Sequence, residues 1–225
     1  MPARVILIPT PIGNLEDITL RAKRLLQEAD LVAAEDTRET GKLLKLLGIE
    51  RPLTALHQHN EHFKVGTLLE RVAQEGLTLA LVSDAGTPGI SDPGFLLVRE
   101  AIAAGIPVEA LPGATAFVPA LVASGLPCDR FVFEGFLPQK KGRKTRLDAL
   151  HEEVRTMVFY ESPFRILKLM EEFQKHFGPD RQVAVARELS KLHETYYRGS
   201  VQDVIQQLKN GILKGEMVVV LAGKE

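Results

Sequence analysis

Short, continuously apolar runs recur through the first half of the chain. Residues 5–8, 31–34 and 79–82 each form such a run, which is typical of strands buried on both faces of a parallel sheet. Amphipathic segments with leucines at helical spacing follow the first two runs, and an apolar-rich helix is predicted over 95–104 after the third. With a further strand at 107–111, this alternation predicts a mostly parallel α/β sheet.

The second half of the chain follows a different pattern. Turn formers at 124–127 end the parallel repeat, and an aromatic strand at 131–137 follows them. Hairpins mixed with helices predict a second, mixed sheet, whose other strands we place at 156–160, 182–186, 195–198 and 217–221. We therefore expect an N-terminal α/β domain over residues 1–117 and a C-terminal α+β domain over residues 118–225.

Composition narrows the classes of function. Hydrophobic types make up 45% and charged types 25% of the 225 residues, as in an ordinary globular protein. The single cysteine, Cys128, excludes an internal disulfide framework and fits a reducing compartment. No apolar run approaches the roughly 18 residues of a membrane span and no signal peptide is apparent, so we expect a cytoplasmic protein without a membrane partner. The net charge of −1 means that a nucleic-acid partner needs a local basic patch.

The loop over residues 83–94, SDAGTPGISDPG, is the strongest functional signal. Ordinary strand-to-helix connections in α/β proteins need only about two to six residues. Ligands of open α/β sheets bind beyond the carboxyl ends of the strands, and glycines and small side chains there let a ligand lie against backbone amides. The loop is therefore predicted to bind a ligand.

Other predicted strand ends also carry turn residues or polar groups. They are PTPIGN at 9–14, AEDTR at 34–38, LPGATA at 111–116, YESPFR at 160–165 and RELSKLHE at 187–194. In AEDTR, Asp36 either serves the site or caps the following helix, and both roles are compatible.

Neither a metal nor a nucleotide phosphate loop is expected. Three of the six histidines, His57, His59 and His62, cluster together, but no cysteine accompanies them and H-E-x-x-H is absent. The chain also contains neither G-x-G nor the G-x-x-x-x-G-K-[ST] pattern.

A basic run follows the aromatic strand at the predicted start of a helix. Basic charge there opposes the helix dipole, which favours an external anion over a merely solvated face. We therefore predict contacts with RNA phosphates from Lys140, Lys141, Arg143, Lys144 and Arg146.

Six segments, in order along the chain, resemble those of the tetrapyrrole methylase superfamily. Five are the strand-end segments PTPIGN, SDAGTPGISDPG, LPGATA, YESPFR and RELSKLHE, and the sixth is GEMVVVLAG, which contains the last strand. AEDTR and the SDAG form of the second loop are most similar to its bacterial branch that methylates cytidine 2′-hydroxyls in small-subunit ribosomal RNA. Small-molecule members have Gly-Asp-Pro where this chain has Gly86-Thr87-Pro88.

The resemblance implies two α/β domains with a ligand cleft between them, S-adenosylmethionine as cofactor, a ribosomal RNA or small-subunit partner, and a homodimer. It also implies that the methyl donor lies among Pro11, Ala85, Gly86, Ile90, Ser91, Thr115, Ala116, Tyr160, Leu189 and Gly215.

Catalytic residues are predicted from the chemistry of the proposed acceptor. Because a ribose hydroxyl is a weak acid, a base or a cation that stabilises the alkoxide would help transfer. The candidates are Asp36, Glu161, Glu188 and Lys191, and a structural ion pair such as Glu188 with Lys191 is an equal alternative.

Two other functions stay open from the sequence. One is a small-molecule, tetrapyrrole-type methyltransferase on the same fold. The other is a non-catalytic RNA- or nucleotide-binding module, although such a module would not need so many strand ends with turn residues and polar groups.

Overall fold

A computed structural model describes residues 3–224. The chain forms two units, of which the first ends at Thr115 and the second begins at Ala116. This division falls two residues before the boundary expected from the sequence.

The first unit is built on a parallel sheet. Its strands are β1 (Arg4–Leu7), β2 (Leu31–Ala34), β3 (Leu53–Ala55), β4 (Thr78–Val82) and β5 (Val108–Ala110). They lie in the order β3-β2-β4-β1-β5, and every pair is parallel. A short 3-10 turn (Leu15–Asp17) precedes the helices, which are α1 (Leu20–Glu28), α2 (Thr37–Leu47), α3 (Glu61–Glu75) and α4 (Phe95–Ala103).

Both faces of this sheet are buried. Ile6 and Ala80 belong to one apolar cluster with residues of α1 and α2, whereas Leu79 and Leu81 belong to another with residues of α3 and α4. Successive strand side chains point to opposite faces, so a sheet covered on both sides needs continuously apolar strands. The apolar runs in the sequence reflect this double burial.

The second unit is built on a mixed sheet. Its strands are β6 (Phe131–Phe136), β7 (Thr156–Glu161), β8 (Gln182–Arg187), β9 (Thr195–Ser200) and β10 (Met217–Leu221). In the order β6-β7-β10-β8-β9, only β6 and β7 are parallel. The helices are α5 (Phe117–Val122), α6 (Arg143–Ala149), α7 (Ile166–Phe177) and α8 (Val201–Lys209). The predicted fold class, with one parallel and one mixed sheet, is confirmed.

One helix begins later than its sequence suggests. The motif Ser162-Pro163 predicts a helix starting at 163, but α7 begins at Ile166. The Glu161 carboxylate accepts hydrogen bonds from the Ser162 amide and from Arg165 Nε, and Arg165 N donates to Ser162 O at 3.0 Å. These bonds hold residues 162–165 in a turn before the helix. Within residues 3–224, no helix is long and apolar enough to cross a membrane.

Candidate active site

Three loops meet at the carboxyl ends of adjacent strands in the first unit. They follow β1, β4 and β5, which lie side by side in the order β4-β1-β5. The amide of Thr10 donates to Gly86 O and the amide of Gly86 donates to Thr10 O, both at 2.9 Å. Thr10 Oγ1 also donates to Ser83 O at 3.1 Å, and Thr87 Oγ1 to Ala114 O at 2.9 Å. The three loops therefore form one hydrogen-bonded structure.

Close packing between these loops depends on glycine. A Cβ on Gly113 would lie 2.6 Å from Pro9 Cβ, so no larger residue fits there without movement. Gly86 has φ of 82°, a left-handed conformation, and a Cβ on it would lie 3.5 Å from Ile12 Cγ2 and 3.8 Å from Ala114 O. An added Cβ on Gly86 would thus meet both neighbouring loops at ordinary van der Waals distance, and the left-handed φ is what favours glycine there.

Six of the residues predicted to bind the methyl donor lie in these loops. Gly86 is buried, Ala85 and Ser91 are exposed, and the others are half-buried. Ser91 has φ of 61°, which is unusual for a residue with a side chain and marks a constrained loop. These six lie on the three hydrogen-bonded loops: Pro11, Ala85, Gly86, Ile90, Ser91 and Thr115. The other four belong to the second unit: Ala116, Tyr160, Leu189 and Gly215.

Carboxylates gather beside the loops, and three of them, Glu35, Asp84 and Asp92, are not among the residues predicted for the site. Burial, followed by repulsion from Asp92, Asp84 and Asp36, raises the pKa of Glu35. Burial also raises the pKa of Asp92 to about 6, with repulsion from Asp84 adding to this effect against an opposing hydrogen bond from Ser83. The signal in the sequence is that AEDTR and SDAGTPGISDPG each place acids directly after a predicted strand. The sheet order then makes β2 and β4 neighbours and brings these acids together. Such a set of repelling acids favours a cationic ligand.

Asp36 performs the structural role that the sequence left open. Its side chain caps α2 by accepting from the amide of Arg38, and its own amide donates to Asp84 Oδ1 at 3.0 Å. The hydrogen bonds from the Arg38 side chain and backbone hold the pKa of Asp36 well below its usual range. A carboxylate of this kind is a weak base.

In the second unit, Lys191 lies between two carboxylates. Its Nζ donates to Glu188 Oε1 at 2.9 Å and to Glu216 Oε2 at 3.0 Å. Burial alone would lower the pKa of Lys191, but these hydrogen bonds outweigh it and the pKa is raised. Burial likewise opposes the hydrogen bonds that lower the pKa of Glu188. Lys191 therefore stays a cation, and Glu188 stays an anion with little basicity.

The backbone around this pair is constrained. Glu188 and Ser190 have φ of 53° and 65°, and Leu189 between them is buried. A Cβ on Gly215 would lie 2.3 Å from the Glu188 carboxyl carbon, so glycine is required for the carboxylate to lie there. The structure thus brings together Glu188, Lys191, Leu189 and Gly215 from the predicted set.

Glu161 lies apart from that group, in a buried ionic network. Only 1% of its side chain is exposed, and its two oxygens face Arg143 Nη2 at 3.5 Å and Arg165 Nε at 2.7 Å. Arg143 also donates from Nε to Glu172 at 2.8 Å and from Nη1 to Pro138 O at 3.2 Å. A buried carboxylate held between two guanidinium groups serves the structure of the second unit.

The same network revises the predicted set of phosphate contacts. Arg143 is 5% exposed, so its charge neutralises Glu161 and Glu172 rather than an external phosphate. Arg146 is exposed but pairs with Glu134. Lys140, Lys141 and Lys144 are exposed and form no ion pair within the described residues 3–224. The sequence could not separate these roles, because they depend on partners from β6, β7 and α7.

The histidine cluster does not form a metal site in the part of the chain that the structure describes. Among residues 3–224, no group of three or more histidine, cysteine, aspartate or glutamate side chains is arranged to hold a metal ion. His57 Nε2 lies 3.0 Å from Asn60 Nδ2, and His59 packs edge-on against the His57 ring.

Turn-rich loops after the carboxyl ends of parallel strands, in a unit followed by one with a mixed sheet, define an α/β protein built of two units. The family model for Tetrapyrrole (Corrin/Porphyrin) Methylases matches residues 4–205, and the chain belongs to this family.

Individual relatives are similar over most of the chain. The "Ribosomal RNA small subunit methyltransferase I" of Escherichia coli O157:H7 is 52% identical over 220 residues, which are 96% of this chain and 77% of the relative. The protein of that name from Thermotoga maritima is 45% identical and covers 99% of both chains. Among solved structures, the uroporphyrin-III-C-methyltransferase of Thermus thermophilus has a TM-score of 0.68 at 25% identity, over 98% of this chain and 94% of its own.

Proposed function

We propose that the protein transfers a methyl group from S-adenosylmethionine to the 2′-hydroxyl of a cytidine in small-subunit ribosomal RNA. The observation that carries the proposal is 45% to 52% identity, over nearly the whole chain, to relatives named as methyltransferases of that RNA. The tetrapyrrole methyltransferase is less similar in sequence, at 25% identity. The proposed substrate also implies a cytoplasmic protein.

The first unit fits the methyl donor in chemistry. S-adenosylmethionine, when bound, supplies a methyl group already activated on a positively charged sulfonium. The loops after β1, β4 and β5 offer glycine backbone and small side chains, against which a folded ligand can lie. The neighbouring carboxylates Glu35, Asp84 and Asp92 repel one another, and a cation nearby would relieve that repulsion. The predicted donor-binding residues remain part of the proposal.

For methyl transfer, the main tasks of the protein are to position the ribose oxygen in line with the methyl–sulfur bond and to exclude water. As negative charge develops on that oxygen, a fixed cation lowers the barrier. Of the four catalytic candidates, Lys191 fits this role best. Glu188 and Glu216 fix its ammonium, keep it protonated and occupy two of its three N–H donors, so it would act as a hydrogen-bond donor rather than as an uncompensated charge. Glu188 then acts by orienting Lys191, Asp36 by capping α2, and Glu161 by supporting the second unit.

Small ribosomal subunits from cells that lack the protein provide the test substrate. Purified protein and labelled S-adenosylmethionine should methylate their RNA at one cytidine, with alkali resistance at that position by ribose-methylation mapping. A tetrapyrrole incubated in parallel should take up no label. Label in the tetrapyrrole and none in the RNA would establish the small-molecule alternative.

We also propose a homodimer. Each unit of about 110 residues buries a modest core, and symmetric pairing would bury more apolar surface. Sedimentation at micromolar concentration should give twice the monomer mass, and a monomer would contradict this part of the proposal.

A further inference from the structure

The second unit has a shallow pocket of about 460 Å³ beside the strand β6 and the helix α6. β6 is an edge strand, because only β7 pairs with it in the sheet. The residues around the pocket include Glu134, Phe136, Pro138, Gly142, Thr145 and Arg146. The pocket therefore lies next to the segment that carries the exposed lysines.

A flat apolar ring forms one wall of this pocket. Phe136 is 54% exposed, and its ring meets Tyr160 edge-on at a centroid distance of 5.5 Å. The strand register shifts between Phe133 and Gly135, and this bulge directs both Phe133 and Phe136 toward Tyr160. Contact with Tyr160 supports the ring of Phe136, while about half of its surface is left to solvent.

A guanidinium plane contributes to the same pocket. Arg146 donates from Nε and Nη2 to the two carboxylate oxygens of Glu134, at 2.7 and 2.6 Å. The Glu134 side chain is only 4% exposed, whereas that of Arg146 is 50% exposed. This two-point contact fixes the guanidinium plane and compensates its charge. What Arg146 still presents to a ligand is mainly a flat, weakly hydrated surface.

Uncompensated positive charge lies close by in sequence and structure. Lys140, Lys141 and Lys144 flank Gly142, which lines the pocket, and no described residue forms an ion pair with them. Arg143, buried against Glu172 and Pro138 O, anchors this segment to the body of the second unit. The pocket thus combines planar surfaces with three exposed lysines on the adjoining segment.

We propose that this pocket receives one unpaired base of the RNA substrate, stacked on Phe136 and Arg146, with Lys140, Lys141 and Lys144 on the adjoining phosphates. Bases in a duplex are already stacked and cannot enter, whereas unpaired bases commonly stack on aromatic rings and guanidinium planes. The inference rests on the proposed function and specifies the form of RNA that the protein contacts: single-stranded at this point.

Binding of an unstructured RNA oligonucleotide, compared with the same RNA annealed to its complement, tests the proposal. Phe136→Ala should weaken binding of the single strand about 5-fold to 150-fold, the range that base–aromatic stacking is worth, and should affect the duplex far less. Phe136→Tyr should restore binding. Phe63→Ala is a matched control, since Phe63 is an exposed phenylalanine on α3 of the first unit.

Two further variants distinguish the contribution of phosphate contacts from that of stacking on the Arg146 guanidinium. Lys144→Ala should reduce the slope of log affinity against log salt concentration, because fewer phosphates are neutralised. Arg146→Lys keeps the charge but removes the plane, so it should lower affinity for the single strand and leave the slope unchanged. Thermal unfolding of each variant checks that the fold is kept.

The proposal would be overturned if Phe136→Ala bound the single strand as tightly as the wild-type protein does. Equal losses of affinity for the single strand and the duplex would also overturn it. An unchanged affinity with an altered sedimentation coefficient would instead make the pocket a contact between copies of the chain, and would overturn it too. Methylation of small-subunit RNA by the wild-type protein is measured in parallel. If that activity is present while Phe136 proves neutral, this inference fails and the proposed function stands.

Discussion

Thr10 and Gly86 exchange two backbone hydrogen bonds of 2.9 Å across the ends of β1 and β4. Seventy-six positions separate these residues in the sequence, and their pairing makes a single surface of two loops. The pairing requires a φ of 82° at residue 86, which glycine adopts readily and other residues disfavour. The α-carbon of Gly86 faces Ile12 and Ala114.

Gly86→Ala should therefore weaken S-adenosylmethionine binding by more than backbone strain alone explains. Gly89→Ala is the matched control, since Gly89 has almost the same φ, 85°, with nothing within 4 Å of an added Cβ. Both variants should lose about 1 kcal/mol of stability. Calorimetry should show at least tenfold weaker binding only for Gly86→Ala. Equal affinities in the two folded variants would remove Gly86 from the donor site.

Arg143 should matter for stability rather than for RNA. Arg143→Ala leaves the partly buried Glu172 without its ion-pair partner and leaves the buried Glu161 with Arg165 alone, which costs about 3 kcal/mol, the lower end for a broken buried pair. Lys144→Ala, a change to an exposed side chain on the same helix, should alter the unfolding free energy by only about 0.5 kcal/mol or less. Urea denaturation measures both. Similar midpoints for the two variants would contradict the assignment of Arg143 to the core.

Asp92 should make stability depend on pH in a defined window. Its pKa is about 6 in the folded protein against an ordinary value of 3.8, so its contribution favours folding below pH 4 and is lost as the pH rises through 6. Asp92→Asn removes the buried charge and should stabilise the protein at pH 8 by about 1–2 kcal/mol, after allowance for partial solvent screening.

Thermal unfolding at both pH values is the measurement for Asp92→Asn. At pH 4 the variant and the wild type should unfold at closely similar temperatures. Asp129→Asn, on an exposed aspartate, should show no such difference between pH 4 and pH 8. A stabilisation of Asp92→Asn that is the same at both pH values would mean that the charge of Asp92 is not its cause.

Lys191 should affect turnover more than binding. Lys191→Met removes the cation that Glu188 and Glu216 hold in place, and kcat should fall roughly 10²–10³-fold, as for loss of one donor to a developing oxyanion. Lys191→Arg should recover part of this loss. Lys209→Met, at the exposed end of α8, is the control. A Lys191→Met protein with unchanged kcat and a raised KM would assign Lys191 to binding.

The sequence by itself determined the elements and their class. The apolar runs identified the buried strands, and β2 and β10 have the bounds that the pattern predicted, since continuous apolar character is required where both faces are covered or packed. It also located the turn-rich loops at the strand ends, because turn residues and glycines are local features. Where local hydrogen bonds override propensity, as at residues 162–165, the sequence misplaced the start of α7.

Only the tertiary structure decided what each charged residue does. The sequence does not distinguish the five basic residues at positions 140–146. In the structure, Arg143 is buried and pairs with Glu172, Arg146 is exposed and pairs with Glu134, and the three lysines are exposed. Glu35, Asp84 and Asp92 form one electrostatic cluster only because β2 and β4 are neighbours in the sheet. The ion pairs, the burial and the local electrostatic field of a side chain depend on groups that are distant in the chain. The role of a charged residue is therefore set by the groups that lie around it in the folded protein.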